Sequence, residues 1–396
     1  MRIKKINENI ERGTFLIESD TKVTIGKNVT VTAIHDVDSF YTDDSVFWDT
    51  CGNELGRALF FANGKQNIEF IGEEGNLIDG RGGLWFEGDE KSHNRPSLIR
   101  FVNCKNVTLK NLNLIDSPCW CIHIQNCENV LIDGLTIKSY CNHNNDGIDI
   151  DGCTNVIVQN CRVENGDDAI VVKATKNIPS KNILIKNCTV NTLGAGFKIG
   201  TETVGDISDV KYIDNVIEES VGGSIKIMSA DGSNINGVLV KNVNIIHGTG
   251  PLFIANGYRM RKYFDGHTRE IAGSIKNVTV QNVTANVYCN EENPYAKVAR
   301  GVLLVTGTPK TFIENLEISD CSFNMPGGIT DKNGEYEVKE LTDGYPEFYF
   351  LGTTPSYGAY IRHAQNVKIK NVKFNLAKPD VRDKIITNDV KNVTIE

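Results

Sequence analysis

The sequence predicts an all-β fold: a single-domain right-handed parallel β-helix, a solenoid whose loop insertions form a groove. Three observations lead there. A short segment headed by a polar residue recurs along the chain, each copy alternates β-branched or apolar residues with others, and no helical period of adequate length separates the copies. Alternation marks a short strand with one buried face. Such a unit cannot bury that face alone, so successive coils must stack around a long narrow core.

The repeat reads as Asn67-Ile68-Glu69-Phe70-Ile71, Asn106-Val107-Thr108-Leu109, Asn129-Val130-Leu131-Ile132, Asn155-Val156-Ile157-Val158 and Asn182-Ile183-Leu184-Ile185, then Asp209-Val210-Lys211-Tyr212. It continues at Asn277, Asn315, Asn366 and Asn392. From Asn106 to Asp209 the leading residue returns after 23, 26, 27 and 27 positions, enough for one coil of two or three strands and their turns. Residues 1–60 are expected to form an N-terminal cap region and the first coils, and 61–396 the stacked coils. The recurring Asn is expected in an inward turn, bonded to the backbone of the next coil. Segments near 35–58, 285–300 and 322–358 break the period and are expected to leave the coil as loops, walling a groove. A solenoid grows along one axis, so one domain can absorb all 396 residues.

Cysteine recurs in one local context, as in Asn103-Cys104, Asn126-Cys127, Gly152-Cys153, Asn160-Cys161 and Asn187-Cys188. With no Cys-x-x-Cys and no clustered ligands, these read as small buried hydrophobes rather than zinc or redox sites. The Asn-Val-Thr triplets at Asn28, Asn106, Asn277, Asn282 and Asn392 match a glycosylation sequon but read as structural, because most lie on the repeat.

Composition narrows the function. With 42 Lys+Arg against 50 Asp+Glu the net charge is −8, which argues against nucleic acid as a partner. No apolar stretch is long enough for a membrane helix. Behind the positive charges of Met1–Glu8 there is no apolar run, so a cytoplasmic location is expected; a mature secreted protein given a new initiator Met would read the same way. The oligomeric state is left open.

Acidic residues concentrate with glycines at Asn144-Asn145-Asp146-Gly147 and Gly166-Asp167-Asp168. Asp146 and Asp167 are 21 residues apart, close to one coil, and stacked strands lie ~4.8 Å apart, so these side chains can share one patch. Glycoside hydrolysis needs such a group, with one carboxyl protonated and another ionised, and crowding raises proton affinity. Asp-Gly is also an ordinary turn dipeptide, so Asp146 alone reads equally as structural. Adjacent Asp167 and Asp168 repel, and a turn needs only one of them.

At these residues the sequence resembles the polygalacturonase family of glycoside hydrolases, family 28. That family carries Asn-Thr-Asp, Gly-Asp-Asp, Gly-His-Gly and Arg-Ile-Lys in order on a right-handed parallel β-helix. The matching stretches are Asn144-Asn145-Asp146, Gly166-Asp167-Asp168, Gly194-Ala195-Gly196 and Ser224-Ile225-Lys226, with Leu77–Phe86 and Asp116–Trp120 also similar. The resemblance implies inverting hydrolysis of pectin-like oligosaccharides, with Asp167 as general acid, Asp146 and Asp168 activating water, and Lys226 binding substrate. It implies neither metal nor organic cofactor.

Two departures bear on substrate. Ala195 stands where the family has histidine, and Ser224 where it has arginine, which argues against a uronate held in the usual way. His143 could replace the imidazole or be a turn residue. Lys198 and Glu202 could line the groove or form a solvated pair. Arg259 and Arg261, within Asn256–Tyr263 and upstream of Asp265-Gly266-His267, could supply the missing cation or belong to a basic loop; Arg362-His363 is a weaker candidate of that kind. The leading expectation is an end-acting glycoside hydrolase on uronate- or rhamnose-containing oligosaccharides. Its rivals are a calcium-dependent polysaccharide lyase using Lys226 as base and a non-catalytic carbohydrate-binding β-helix.

Overall fold

A computed structural model describes residues 1–49, 54–85, 94–262, 269–289, 292, 302–332, 334, 336–340 and 342–396. Its strands hydrogen-bond in parallel to the strand one coil away, giving the right-handed parallel β-helix that the repeat predicts. The chain divides into two compact units, Met1–Thr189 with Lys262–His267, and Val190–Arg261 with Thr268–Glu396.

In the first unit each coil has three strands. Ile122–Gln125, Glu128–Asp133 and Thr136–Ser139 form one coil, and Ile148–Asp151, Thr154–Gln159 and Arg162–Asn165 the next. Register aligns like with like: Ile99, Ile122, Ile148 and Ile170 stack in one column, Leu109, Ile132, Val158 and Ile185 in another. All eight are buried. Burying each such side chain contributes roughly 1.5–3 kcal/mol, and only the stacked arrangement removes them all from water.

The second unit repeats this plan with longer strands. Asn234–Gly248 and Ser274–Val287 each run through two faces of the coil, turning at Asn242 and Asn282, and their mutual register shifts between Ile245 and Gly248. Its buried column is Ile199, Ile227, Ile254, Val305 and Ile361.

The recurring asparagine corrects the expectation placed on it. Asn106, Asn129, Asn155 and Asn182 face outward and are exposed, and each donates from Nδ2 to the side-chain Oδ1 of the Asn one coil earlier, at 2.8–3.1 Å. The second unit has the same ladder through Asn236, Asn277, Asn315, Asn366 and Asn392. The ladder residues of the first unit have φ of 54–58°, the left-handed region that Asn tolerates better than other side-chain-bearing residues. The conformational need fixes Asn at the corner; the amide then supplies a donor and an acceptor for its copies. The cysteines do stack inside: the backbone N–H of Cys104 donates to Cys127 Sγ and that of Cys127 to Cys153 Sγ.

Loop boundaries also move. Ser322–Gly327 is a strand paired with Lys373–Lys378, so that departure begins after it. The 35–58 region carries a short antiparallel pair, Phe47–Trp48 with Glu54–Leu55, and Phe47 and Leu55 pack on Cys119 and Trp120. Of 285–300, residues 290, 291 and 293–300 lie outside the described residues, and the strand Ser274–Val287 runs into the start of that region.

Candidate active site

The acids of the first unit sit on turns whose backbone is held on both sides. Asp146 lies just before the strand Ile148–Asp151, and its carbonyl accepts from Cys121 N–H on the preceding coil, while Gly147 N–H donates to the carbonyl of Asp168 on the following one. A side chain at Gly147 does not fit: its Cβ would come within 2.4 Å of the Ala169 carbonyl oxygen. Two buried asparagines lock these turns. Asn145 Nδ2 donates to the Ser139 carbonyl, and Asn165 Nδ2 to those of Asn145, Asp167 and Asp168. As a result, carboxylate oxygens of Asp146, Asp167 and Asp168 lie within 4.8 Å of one another, with Asp146 and Asp168 buried and Asp167 half-buried.

Burial pushes the Asp146 carboxyl well above the usual carboxylate range, and Asp149, Asp167 and Asp168 push it further. Lys173 opposes them. Its ammonium lies 3.6 Å from Asp146, 3.4 Å from Asp149 and 3.9 Å from the centroid of the Trp120 ring. Desolvating the like charges favours a proton shared within the cluster. The three carboxylates have the donor set for a hard cation, but a fixed ammonium beside Asp146 and that residue's affinity for a proton both disfavour a dication there. Behind them, His123 is buried, takes a hydrogen bond from Arg100 on Nδ1 at 2.8 Å and faces Asp151 through Nε2 at 3.1 Å. Burial and the Arg100 charge lower its pKa to about 4, so it is neutral and structural.

His143 is exposed, unlike the buried Asp146 three residues on. Its backbone carbonyl accepts from the buried Arg95, which also donates to the carbonyl of Pro118 at 2.7 Å and to Asn144 Oδ1 at 3.3 Å. Arg95 thus ties the approach to Asp146 to a neighbouring coil. Neither Arg95 nor Lys173 was singled out from sequence. Lys173 had a signal, being a lysine at the end of the buried strand Ile170–Ala174, where a charge needs a partner.

The second unit holds the candidate substrate-binding residues. Lys198 and Lys226 are neighbours in register on adjacent strands, on the face opposite the isoleucines, and both are buried. Glu347 bridges them: Oε2 pairs closely with Lys226 and Oε1 lies 3.4 Å from Lys198. Lys198 thus has a partner 149 positions away, and neither it nor Glu202 is solvated, since both are buried. Glu202 is buried, and the Tyr345 hydroxyl feels its charge along with those of Lys198 and Glu347. Arg259 grips Asp231 with Nε at 3.0 Å and Nη2 at 2.6 Å, and donates to the Thr201 carbonyl. Arg261 is exposed, and its backbone N–H donates to Asp231 Oδ1 at 3.0 Å. Tyr263, Asp265, Gly266 and His267 lie outside the described residues, as does Phe86.

Ala195 and Ser224 are both buried, and the Ser224 hydroxyl meets Ser220 Oγ at 2.9 Å and the Thr249 carbonyl at 3.1 Å, a local structural task. Arg362 and His363 are likewise occupied. Arg362 donates to the carbonyls of Val338 and Lys339, and His363 lies between Asp389 and Glu340.

A family model described as glycosyl hydrolases family 28 matches residues 9–317. The chain belongs to that family. A Vitis vinifera protein named "Probable polygalacturonase" is 31% identical over 48% of this chain and 41% of its own length. A Neosartorya fischeri protein named "Probable exopolygalacturonase X" is 24% identical over 91% of this chain and 78% of its own. Among solved structures, a family 28 exopolygalacturonase from Yersinia enterocolitica superposes with a TM-score of 0.75 at 17% identity, covering all of this chain and 72% of that one. Membership makes the chain a glycoside hydrolase, and the structural likeness supports the β-helix. The family 28 segments are the ones that carry the crowded acids and the bridged lysines described above.

Proposed function

We propose that this protein is an inverting hydrolase that removes sugars from the ends of pectin-like oligosaccharides containing uronate or rhamnose. The observation that carries the reading is the crowding of Asp146, Asp167 and Asp168 within 4.8 Å in a family 28 chain. End-wise action is supported by relatives named exopolygalacturonase. In the proposed step a water held by Asp146 and Asp168 attacks the anomeric carbon and yields its proton to that carboxylate pair. The glycosidic C–O bond breaks as Asp167 delivers a proton to the leaving oxygen.

The cluster's raised proton affinity supplies the acid at neutral pH. In the resting cluster that proton favours Asp146, the buried member with three acidic neighbours. Substrate entry therefore has to bring it to Asp167, which is more open to an incoming sugar. Lys226 holds substrate in this reading, with Lys198 and Glu202 beside it; Arg259 and Arg261 act through the Asp231 turn.

The acid spacing is tighter than the ~6.5–9.5 Å usual for an inverting pair, so inversion rests on the family resemblance. Proton NMR of the first-formed sugar decides it. The expected product has inverted anomeric configuration; retention overturns the mechanism. Absence of product from a panel of uronate- and rhamnose-containing oligosaccharides overturns the substrate class.

A further inference from the structure

We infer that Glu347 makes the sugar subsite at Lys226 selective for an uncharged residue, so that a uronate is disfavoured there. The inference rests on the proposed reading of Lys226 as a substrate-binding group and names the substrate class for that group.

The argument starts from a built carboxylate site that is already filled. Two buried lysines present their ammoniums side by side, and the carboxylate between them belongs to the chain itself. A uronate binding to Lys226 would bring a second carboxylate beside Glu347. Like charges in a desolvated place repel strongly, and a buried ion pair leaves little unmatched charge to reward the newcomer.

The charge inventory extends the point. Lys198 and Lys226 are paired with Glu347 and Arg259 with Asp231, and the charge of a third carboxylate, Glu202, reaches the same Tyr345 hydroxyl as those of Lys198 and Glu347. Both lysines and all three carboxylates are buried, and the Arg259 side chain is 9% exposed. A neutral sugar leaves this balance intact and can still take hydrogen bonds from either ammonium.

Glu347 is also fixed rather than poised to swing away. The next residue, Phe348, is buried in a cluster with Met228, Phe253, Leu304, Leu351 and Tyr360. The base of the segment is held by Lys339 N–H on the Leu351 carbonyl at 2.7 Å and by Tyr258 N–H on the Thr342 carbonyl at 2.6 Å. Lys226 lies 5.6 Å from the Phe348 ring centroid and 5.8 Å from that of Tyr349, so aromatic faces share the task of holding its charge. Loss of the arginine at Ser224 fits the same shift, since a site with no uronate to hold needs no second cation.

The test compares binding and turnover on the full chain. Calorimetry with galactose, methyl galacturonate ester and free galacturonate should show the two neutral sugars binding at least about tenfold tighter than the acid, and Glu347→Gln should narrow that gap at least about tenfold. Galacturonate binding as tightly as galactose to the unmodified protein overturns the inference, as does absence of saturable binding by all three. The unmodified protein decides alone if circular dichroism shows the variant unfolded. A neutral-sugar preference without cleavage of any pectic oligosaccharide leaves this inference standing and removes the hydrolase reading. Preferential cleavage of free-uronate ends does the reverse.

Discussion

Each unit buries charge, but the two do so on opposite principles. In the first, Asp146 is pressed by Asp149, Asp167 and Asp168 and answered by Lys173. In the second, every cation of the Lys198, Lys226 and Arg259 set has a carboxylate in contact. Crowding like charges displaces a pKa and stores the capacity to move a proton, whereas matching opposite charges yields a rigid, electrically quiet surface. The first arrangement is what chemistry needs. The second is what selectivity needs.

The sharpest way to break the contrast is to remove single acids. Asp167→Asn should lower kcat by about 10³-fold, within the range for loss of a positioned acid, with Asp146→Asn and Asp168→Asn similarly impaired, as measured on a reducing-sugar assay. A variant that keeps more than a tenth of its activity would remove that residue from the chemistry.

The matched pair predicts a stability effect instead. Lys226→Met strands part of the Glu347 charge and should destabilise by about 3 kcal/mol in urea unfolding. Adding Glu347→Leu should recover at least half of that, because the pair leaves together. If the double variant is no better than the single, the charges are not acting as a pair.

A smaller effect of opposite sign belongs to Asp146. Its folded pKa lies above the unfolded value, so its contribution to stability is full below about pH 4 and fades as pH rises through the folded pKa. Asp146→Asn should therefore be inactive yet more stable than the parent, by about 1 kcal/mol or more at pH 8, with the gap closing toward pH 4. A gap that widens on acidification contradicts the raised proton affinity.

The mildest test leaves both charge clusters alone. Asn129→Ala removes one ladder bond to Asn106 and one from Asn155 and forces alanine to φ of 57°, at a cost of about 1–2 kcal/mol. Asn129→Gly should be milder, since glycine accepts that φ. Equal loss for both would assign the ladder to its amides alone.

These outcomes also bear on what could be read in advance. The coil was legible because the Asn corner and the alternation behind it repeat at nearly fixed spacing, and Asp146 and Asp167 fall one coil apart within it. The direction of the Asn was misread: periodicity reports that a corner recurs, while the left-handed backbone that turns the amide outward leaves no separate mark. The partners of Lys226 and His143 were invisible for another reason. Glu347 is 121 residues from Lys226 and Arg95 is 48 from His143, both in segments without periodicity, where sequence distance carries no information about contact. The replacement of the family arginine by Ser224 was readable, but its complement, Glu347, was not.

The stacking of Lys173 on Trp120 gives the protein an optical readout of its own. An ammonium 3.9 Å from the ring centroid sets the electric field on that indole, and the same ammonium answers Asp146 and Asp149. Any event that redistributes charge among those carboxylates shifts the lysine or its field, and the emission of Trp120 with it. With Trp48 and Trp85 replaced by phenylalanine, ligand arrival and proton transfer could be followed by fluorescence without a label attached.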